Sequence, residues 1–518
     1  MASSGERNVT SRQWLALFGV MLGAFMAVLD IQITNSSLNN ISGAIGSSID
    51  EGSWISTAYL VAEIVVIGVS GVMVTIFSLK RYLLFSAIGF LIFSVLCAFC
   101  TDLQELIICR ALQGITGGAL IPLAFNTILL VLPKSKQSIG LALFGFTATF
   151  GPSIGPTIGG WLTDNYGWQW IFFINIPPGI ALISIIWTCM DESPMQLDLL
   201  SSLDYFGIVS MAVGLGSLEY VLEEGERKDW FGNTLIFRFA WIAAIFIPLF
   251  LIRELTAKKP FLDLRLFKYR SFTLSSIIQT ALGVGLYGTV FVVPEYLSSV
   301  QGYSATEIGT TLMWVGIPQL AILPFVPKLI KIIDIRLVIG VGVFFFSLSC
   351  FMNAFLDTDY AGPQFAISNI VRAIGQPLVL IPLLSVATAE IPPEKSGSAS
   401  AIFNMTRNLG GSLGIALLST LITNREHLHS VRIGSSITAE SPALSARLSS
   451  LTEMFVMKGI DPISAGRMAL KLLNGSVSEQ AFLMAYGDAF YVIGAIMAAS
   501  GVLLLFVRKP KSTSQPAH

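Results

Sequence analysis

Five ionisable side chains stand inside runs of residues that are otherwise apolar: Asp30, Glu63, Arg110, Arg372 and Arg407. A charge at the centre of a bilayer costs at least ~2.5 kcal/mol on insertion scales, so groups of this kind are by default candidates for function, proton or ion movement above all. An acid beside an arginine in such a place can bind a proton only in competition with its ion pair. Asp30 and Arg110 fit that description if their helices are neighbours. At 1.5 Å per residue, Asp30 lies roughly 24 Å along its run from Trp14, and Arg110 about 6 to 10 Å from the far end of its own run, so both fall in one half of the membrane. Glu63, about 15 Å into its run, has no assigned cation. It reads as a proton carrier or as the counter-charge for a cationic substrate. For each of the five, the competing account is a structural polar residue tied to helix ends or backbone carbonyls. Gln113, Gln319, Gln376 and Asn404, with many aromatics, suit a largely apolar cavity for amphipathic guests. The aromatic and Met side chains can equally be lipid-facing or core packing.

Other chemistries find little support. Cys97 and Cys100 form a CxxC, but no second pair and no nearby histidine accompany it, and all five cysteines (with Cys109, Cys189 and Cys350) fall in apolar runs where packing accounts for them. His427, His429 and His518 are expected in a loop and the tail. An intramembrane enzyme would need a clustered nucleophile and base or a metal set, and the expected spans hold no histidine and no HExxH. No GxxxxGK[ST] phosphate loop occurs, so no nucleotide and no other cofactor is expected. A net charge of -1 without a long basic block argues against nucleic acid.

The elements that hold these residues are helices crossing a membrane. Of 518 residues, 53% are hydrophobic and 12% charged, about half the charged share of ordinary soluble domains. Runs of the ~20 residues that span a bilayer recur with short polar connectors. They predict fourteen helices, at 14–37, 53–77, 82–100, 106–131, 139–162, 171–190, 204–222, 235–253, 271–293, 304–330, 336–356, 364–389, 397–422 and 486–507. The polar start, MASSGERNVTSRQW, followed by a full span predicts a retained first helix rather than a signal peptide. Arg7, Arg12, Lys80, Arg81, Lys134, Lys136, the cluster from Arg253 through Lys258, Lys259, Arg265, Lys268 and Arg270, then Lys328, Lys331, Arg336, Lys395, Arg508, Lys509 and Lys511 all fall on one side. By the positive-inside rule that side is cytoplasmic, with both termini on it. The connector 191–203 is the exception, with Asp191, Glu192 and Asp198 and no cation.

The chain also repeats itself. RALQGITGGALIPL at Arg110 is echoed by RAIGQPLVLIPL at Arg372, and the interval from Pro133 to Gly151 equals that from Pro392 to Gly410. Two parallel six-helix bundles follow, residues 1–200 and 256–518, with two inserted helices at 201–255 and a long extracytoplasmic loop at 424–485. Such repeats describe a secondary transporter with its site near the midplane between the halves.

One span is rich in residues that weaken helices. Gly151, Gly155 and Gly159 recur every fourth position, and Pro152, Pro156 and Gly160 recur beside them, giving a face without bulk that another helix can approach closely. Such a face could serve as the contact about which two bundles rock. GPSIGPTIGG resembles the antiporter motif of major facilitator superfamily exporters, and RALQGITGG resembles the RxxQGxxxG motif of the same group. LDIQITNSSLNNI at Leu29, WQWIFFINIPPG at Trp168, DYFG at Asp204, DWF at Asp229, LFKYRSF at Leu266, FNMTRNLGGSLG at Phe403 and TNREHLH are similar to segments of the fourteen-span drug:proton antiporters of EmrB type.

The resemblance implies an all-α integral membrane protein of the major facilitator fold, resident in a bacterial cytoplasmic membrane. It implies export of drug-like, lipophilic or siderophore-like compounds in exchange for protons, with Asp30 as coupling acid and Arg110 as its partner. EmrB-type permeases work with a periplasmic adaptor protein and an outer-membrane channel, for which Asn424 to Gly487 would be a docking surface. The departures are GVMVTIFSLKR after the second span, where Thr75 and Ser78 replace the usual acid and second glycine, and Gln169 where many relatives have Arg. Proton-coupled uptake, and a channel or sensor, are the alternatives.

Overall fold

The computed structural model describes residues 9–258, 260–392, 395–436 and 441–507, and every regular element among them is a helix. Arg7, Lys259, Arg508, Lys509, Lys511 and His518 lie outside the described residues. The first bundle comprises α1 (Ser11–Ser36), α2 (Trp54–Phe77), α3 (Leu79–Phe99), α4 (Leu103–Val131), α5 (Lys134–Tyr166) and α6 (Trp170–Cys189). The inserted pair is α7 (Tyr205–Glu224) and α8 (Thr234–Thr256). The second bundle comprises α9 (Arg270–Ser299), α10 (Thr306–Ile332), α11 (Ile335–Met352), α12 (Gly362–Thr388), α13 (Ser396–Ser436) and α15 (Pro462–Val502), with α14 (Pro442–Met457) before the last.

Local chemistry sets the starts. Thr10 and Gln13 close a capping box ahead of α1, and the Asp102 carboxylate accepts the Glu105 N–H at the start of α4. Twelve of the helices are long and apolar enough to cross a membrane, and α5, bent by 43° between Ile139–Pro152 and Ile154–Tyr166, makes thirteen. The remaining expected span is α13, where Asn404, Arg407 and Asn408 interrupt the apolar run. Two boundaries depart from expectation. α13 continues to Ser436 and α15 begins at Pro462, so the segment expected as a loop over 424–485 is largely helical, and His427 and His429 ride on α13.

The acidic connector after α6 also finds its reason. Asp191 pairs with Arg12 at 3.2 Å, and Glu192 pairs with Arg81 at 3.2 Å and Lys80 at 3.9 Å. The cations it appeared to lack are supplied by the start of α1 and the α2–α3 turn. Its acids therefore belong to the same end of the molecule as those cations.

Within the bundles α1 packs on α5 and α6, α9 on α13, and α11 on α12. Between them α5 meets α10 and α2 meets α13, while α7 packs against both α2 and α13. The inserted pair thus touches the seam between the halves.

Candidate functional site

Arg110 reaches Asp30 because α4 lies unusually close to α2. A Cβ at Gly114 would collide with the Tyr59 backbone, and one at Gly117 would stand 2.8 Å from the Tyr59 hydroxyl, so the glycines of RALQGITGG are a packing requirement. Asp30 and Arg110 are both buried, and Arg110 Nη1 donates to Asp30 Oδ2 at 2.5 Å and to Gln113 Oε1 at 2.7 Å. The second Asp30 oxygen, Oδ1, accepts from Gln113 Nε2 at 3.1 Å and Asn175 Nδ2 at 2.8 Å. Arg110 Nε donates to the Ile55 carbonyl at 3.2 Å, and its guanidinium lies 4.4 Å from the centre of the Tyr59 ring. Asn175 is held in turn by Ser94, to whose Oγ it donates at 3.0 Å. Three donors, on Arg110, Gln113 and Asn175, are thus aimed at the Asp30 carboxyl, and a proton arriving there competes with them.

Glu63 occupies a different setting. It is 2% exposed, its Oε1 accepts from Asn408 Nδ2 at 3.3 Å, and its Oε2 has no partner. Arg407 stands within electrostatic reach of it but outside ion-pair distance. Glu63 lines a cavity of about 450 Å³ enclosed by both bundles and α7. Three further acids line the same cavity: Glu219 and Glu223 from α7 and Glu295 from α9. None of these was singled out from the sequence. Glu219 was open to discovery, since it lies inside the expected span 204–222, whereas Glu223 and Glu295 fall beyond expected span ends and look like ordinary connector acids.

The other expected cavity residues are elsewhere. Gln113 belongs to the Asp30 network, Gln319 is buried on α10 with neither amide atom bonded, Gln376 is buried on α12, and Asn404 donates to the Ser400 carbonyl at 2.9 Å. None of the four lines this cavity, whose polar wall is made instead by Gln32, Asn35, Asn39 and Asn408. Arg372 and Arg407 are buried, and Arg372 Nε, Arg407 Nε and Arg407 Nη1 have no hydrogen-bond partner. Cys97 packs against the Asp30 network, its Sγ 3.7 Å from Gln113 Oε1.

The glycine stripe of α5 faces its own bundle. A Cβ at Gly151 would stand 3.0 Å from Val28, one at Gly155 2.5 Å from Gln32 Cβ, and one at Gly159 3.0 Å from the Ile33 carbonyl oxygen, all on α1. The expectation that this stripe lies between the bundles is therefore corrected. Period-four glycines report a close neighbour without saying which one. The contact between bundles uses a different part of α5, where Thr157 meets Gly309 of α10, while Pro156 faces the cavity. GPSIG here and GGSLG on α13 also match the spelling GxSxG, but both lie within helices rather than in the strand–turn–helix that gives a nucleophile elbow its chemistry.

At the end where α1 begins, the halves meet backbone to backbone. A Cβ at Gly71 would stand 2.8 Å from the Gly397 carbonyl carbon, and Ser400 Oγ donates across the seam to the Pro122 carbonyl at 3.1 Å. The cavity lies toward the opposite end, where α1 and α9 finish. The altered α2–α3 turn keeps the backbone of the glycine it lacks: Ser78 has φ 69° and ψ 152°, a region few residues other than glycine adopt.

Comparison with known proteins identifies the family and agrees with the fold. The family model of the Major Facilitator Superfamily matches residues 20–415. The Colistin resistance protein EmrB of Acinetobacter baumannii is 34% identical over 96% of this chain and 97% of its own. The Multidrug export protein EmrB of Escherichia coli is 30% identical over 94% of each. Among solved structures, the proton:xylose symporter XylE superposes with a TM-score of 0.61 at 14% identity, covering 97% of both chains, a likeness of fold.

Proposed function

The chain belongs to the major facilitator superfamily, a family of transporters and not of enzymes, and from that premise we propose that it is a proton-driven exporter of drug-like, lipophilic or siderophore-like compounds. Its setting would be a bacterial cytoplasmic membrane, with both termini inside. The observation that carries the reading is the separation of two acidic sites: Asp30 sealed in a bonded network of the first bundle, and Glu63 with a free oxygen on the cavity between bundles. Proton-for-guest exchange can use such a division, one acid for the proton and one facing the guest. In the present state the α1-start end is closed and the cavity lies toward the other side. A proton reaching Asp30 would neutralise the partner of Arg110, release that side chain, and loosen α1 from α4. Guest release and closure of the outer end would follow, and loss of the proton to the cytoplasm would reset the pair. The curated relatives named for multidrug export and colistin resistance support export over uptake.

A periplasmic adaptor with an outer-membrane channel would dock on the helices of the segment 424–485, the later part of α13, α14 and the start of α15. Val431, Met457, Ile463 and Leu470 are apolar and exposed along it.

The test is purified protein in proteoliposomes enclosing a pH-sensitive dye, challenged with lipophilic cations, uncoupler-like acids and siderophores. Substrate-dependent proton movement that Asp30→Asn abolishes is the expected result. Asp30→Asn combined with Arg110→Gln serves as a second variant without a stranded charge, and it too should be silent. Proton-independent conductance would favour a channel, and proton flux in the same direction as the guest an uptake symporter.

A further inference from the structure

We infer that the cavity between α2, α7, α9 and α13 is a recognition site for amphipathic organic cations, held between Glu63 and Glu219, with the inserted helix α7 supplying a substrate-binding carboxylate. The inference rests on the export reading and adds a substrate class to it.

One turn of α13 meets carboxyls from two other parts of the molecule. Asn408 Nδ2 donates to Glu63 Oε1 at 3.3 Å, and Ser412 Oγ donates to Glu219 Oε1 at 2.6 Å. Residues 408 and 412 are one helical turn apart on one face, so α13 holds a carboxyl from the first bundle and a carboxyl from the inserted pair side by side. Each acid is bound through one oxygen only. Glu63 Oε2 and Glu219 Oε2 are buried without a hydrogen-bond partner, although the residues are 2% and 3% exposed. Buried polar atoms left open are rare and ask for an explanation; two of them, on carboxyls whose residues line one cavity, point to a guest that supplies the missing positive charge.

The rest of the wall fits such a guest. Among the lining residues there are four acids and no Lys, Arg or His. Arg407 of α13, within electrostatic reach of Glu63 but not among the lining residues, offsets one of the four charges at most. Tyr287, Phe291 and Tyr303 provide aromatic surface for a cation and for its apolar body. Glu223 and Glu295 stand nearer the ends of α7 and α9, Glu295 exposed, where negative charge concentrates cations at an opening. At about 450 Å³ the space falls in the range for drug-sized ligands. The design also explains why α7 touches the seam: without it the cavity would lose Glu219 and Glu223 together.

Two ions of nearly equal size and opposite charge provide the test. Tetraphenylphosphonium should bind the purified protein at least about tenfold more tightly than tetraphenylborate, a difference of about 1.4 kcal/mol. Glu219→Gln, which keeps the shape, should weaken tetraphenylphosphonium binding by about tenfold or more, while Glu219→Asp should retain part of it. Because a buried substitution can unsettle the fold, the unaltered protein gives a second readout: tetraphenylphosphonium should protect Glu219 from a hydrophobic carbodiimide, read by mass spectrometry. Equal binding of the two ions, undiminished binding by a folded Glu219→Gln, or unprotected Glu219 would each overturn the inference. The two readings fail separately. If the cation binds through Glu219 but moves no protons, export fails and the cation site stands. If an anionic guest moves protons through Asp30 while tetraphenylphosphonium does not bind, export stands and the cation site falls.

Discussion

Arg110 on α4 donates to Asp30 and Gln113, whereas Arg372, its counterpart on α12, has no carboxylate within ion-pair distance among the described residues and an Nε without a partner. The helices around them are nevertheless repeated closely. Gly151 and Gly155 of α5 press on Val28 and Gln32 of α1, and Gly410 and Gly414 of α13 press on Thr280 and Val284 of α9. On the next rung the roles trade places: Gly159 meets Ser36, but in the second half Gly288 of α9 makes room for Leu418 of α13. These rungs align Asp30 with Leu282, which is fully buried. One scaffold is therefore used twice, with an acid and an arginine paired in the first half and a buried leucine and an arginine at the matching positions in the second. The repeat thus conserves packing, while among the described residues the buried ion pair is confined to one copy.

The largest expected effect separates the two arginines. Removing one partner of a buried pair strands the other, so Asp30→Asn and Arg110→Met should each cost about 3–5 kcal/mol. Arg372→Met should be neutral or stabilising by up to about 2 kcal/mol. Thermal unfolding in detergent compares them directly, and equal losses at both arginines would end the distinction. A smaller effect should appear when the second half is given the missing acid. Leu282→Asp and Arg372→Met, measured singly and together, should show a coupling of about 2 kcal/mol; additive values would mean that Leu282 does not occupy the place of Asp30.

The turns after the second helix of each half differ in the same spirit. In the second half Asp334 caps α11 by accepting the Arg336 N–H, with φ −57°, whereas Ser78 holds φ 69° with no side-chain cap bond. Ser78→Gly should therefore stabilise the protein by about 1 kcal/mol, and an unchanged unfolding midpoint would show that the turn is not strained. The smallest effect belongs to the turns at Pro133 and Pro392. Both close the same way, Lys136 N–H to Pro133 at 2.9 Å and Lys395 N–H to Pro392 at 3.0 Å, but of the two lysines only Lys395 has an ion pair among the described residues, with Asp263 at 2.7 Å. The hydrogen bond to Asp263 raises the Lys395 pKa above its ordinary value. Its contribution is thus complete below about pH 10.4 and fades as pH rises through the folded value. For a pair this exposed, Asp263→Asn should cost less than about 1 kcal/mol at pH 8 and nothing under strongly alkaline conditions.

Much of this was legible from residue types alone. Asp30 and Arg110 stand out because lipid tolerates charge so poorly, and helical rise was enough to place them at one depth. The acids of the cavity were harder to read. Glu223 and Glu295 lie where a span gives way to a connector, so nothing local distinguishes them from solvated residues. Their meeting depends on α7 seating against α2 and α13, a tertiary fact without a periodic signature. The stripe at Gly151 predicted a tight neighbour correctly and its identity wrongly, since a close approach to α1 and one to another bundle require the same small residues. α13 and α15 ran past their expected ends because apolar content marks where lipid stops, not where hydrogen-bonded backbone does.

α13 has a mechanical consequence. Its 41 unbroken residues measure about 60 Å at 1.5 Å per residue, twice the roughly 30 Å of the hydrocarbon layer. The turn bearing Asn408 and Ser412 lies about 20 Å from the start of this rod. His429 and Arg425, toward the other end, are braced to Asp488 of α15 at 2.9 and 3.3 Å. A stiff rod pivoting at the seam magnifies angle into displacement: about 10° of tilt sweeps a tip some 30 Å away by about 5 Å, the pitch of one helical turn. Tilting α13 at the seam would thus carry its far part, braced to α15, by about one helical turn, while the turn that holds the cavity carboxyls moves less.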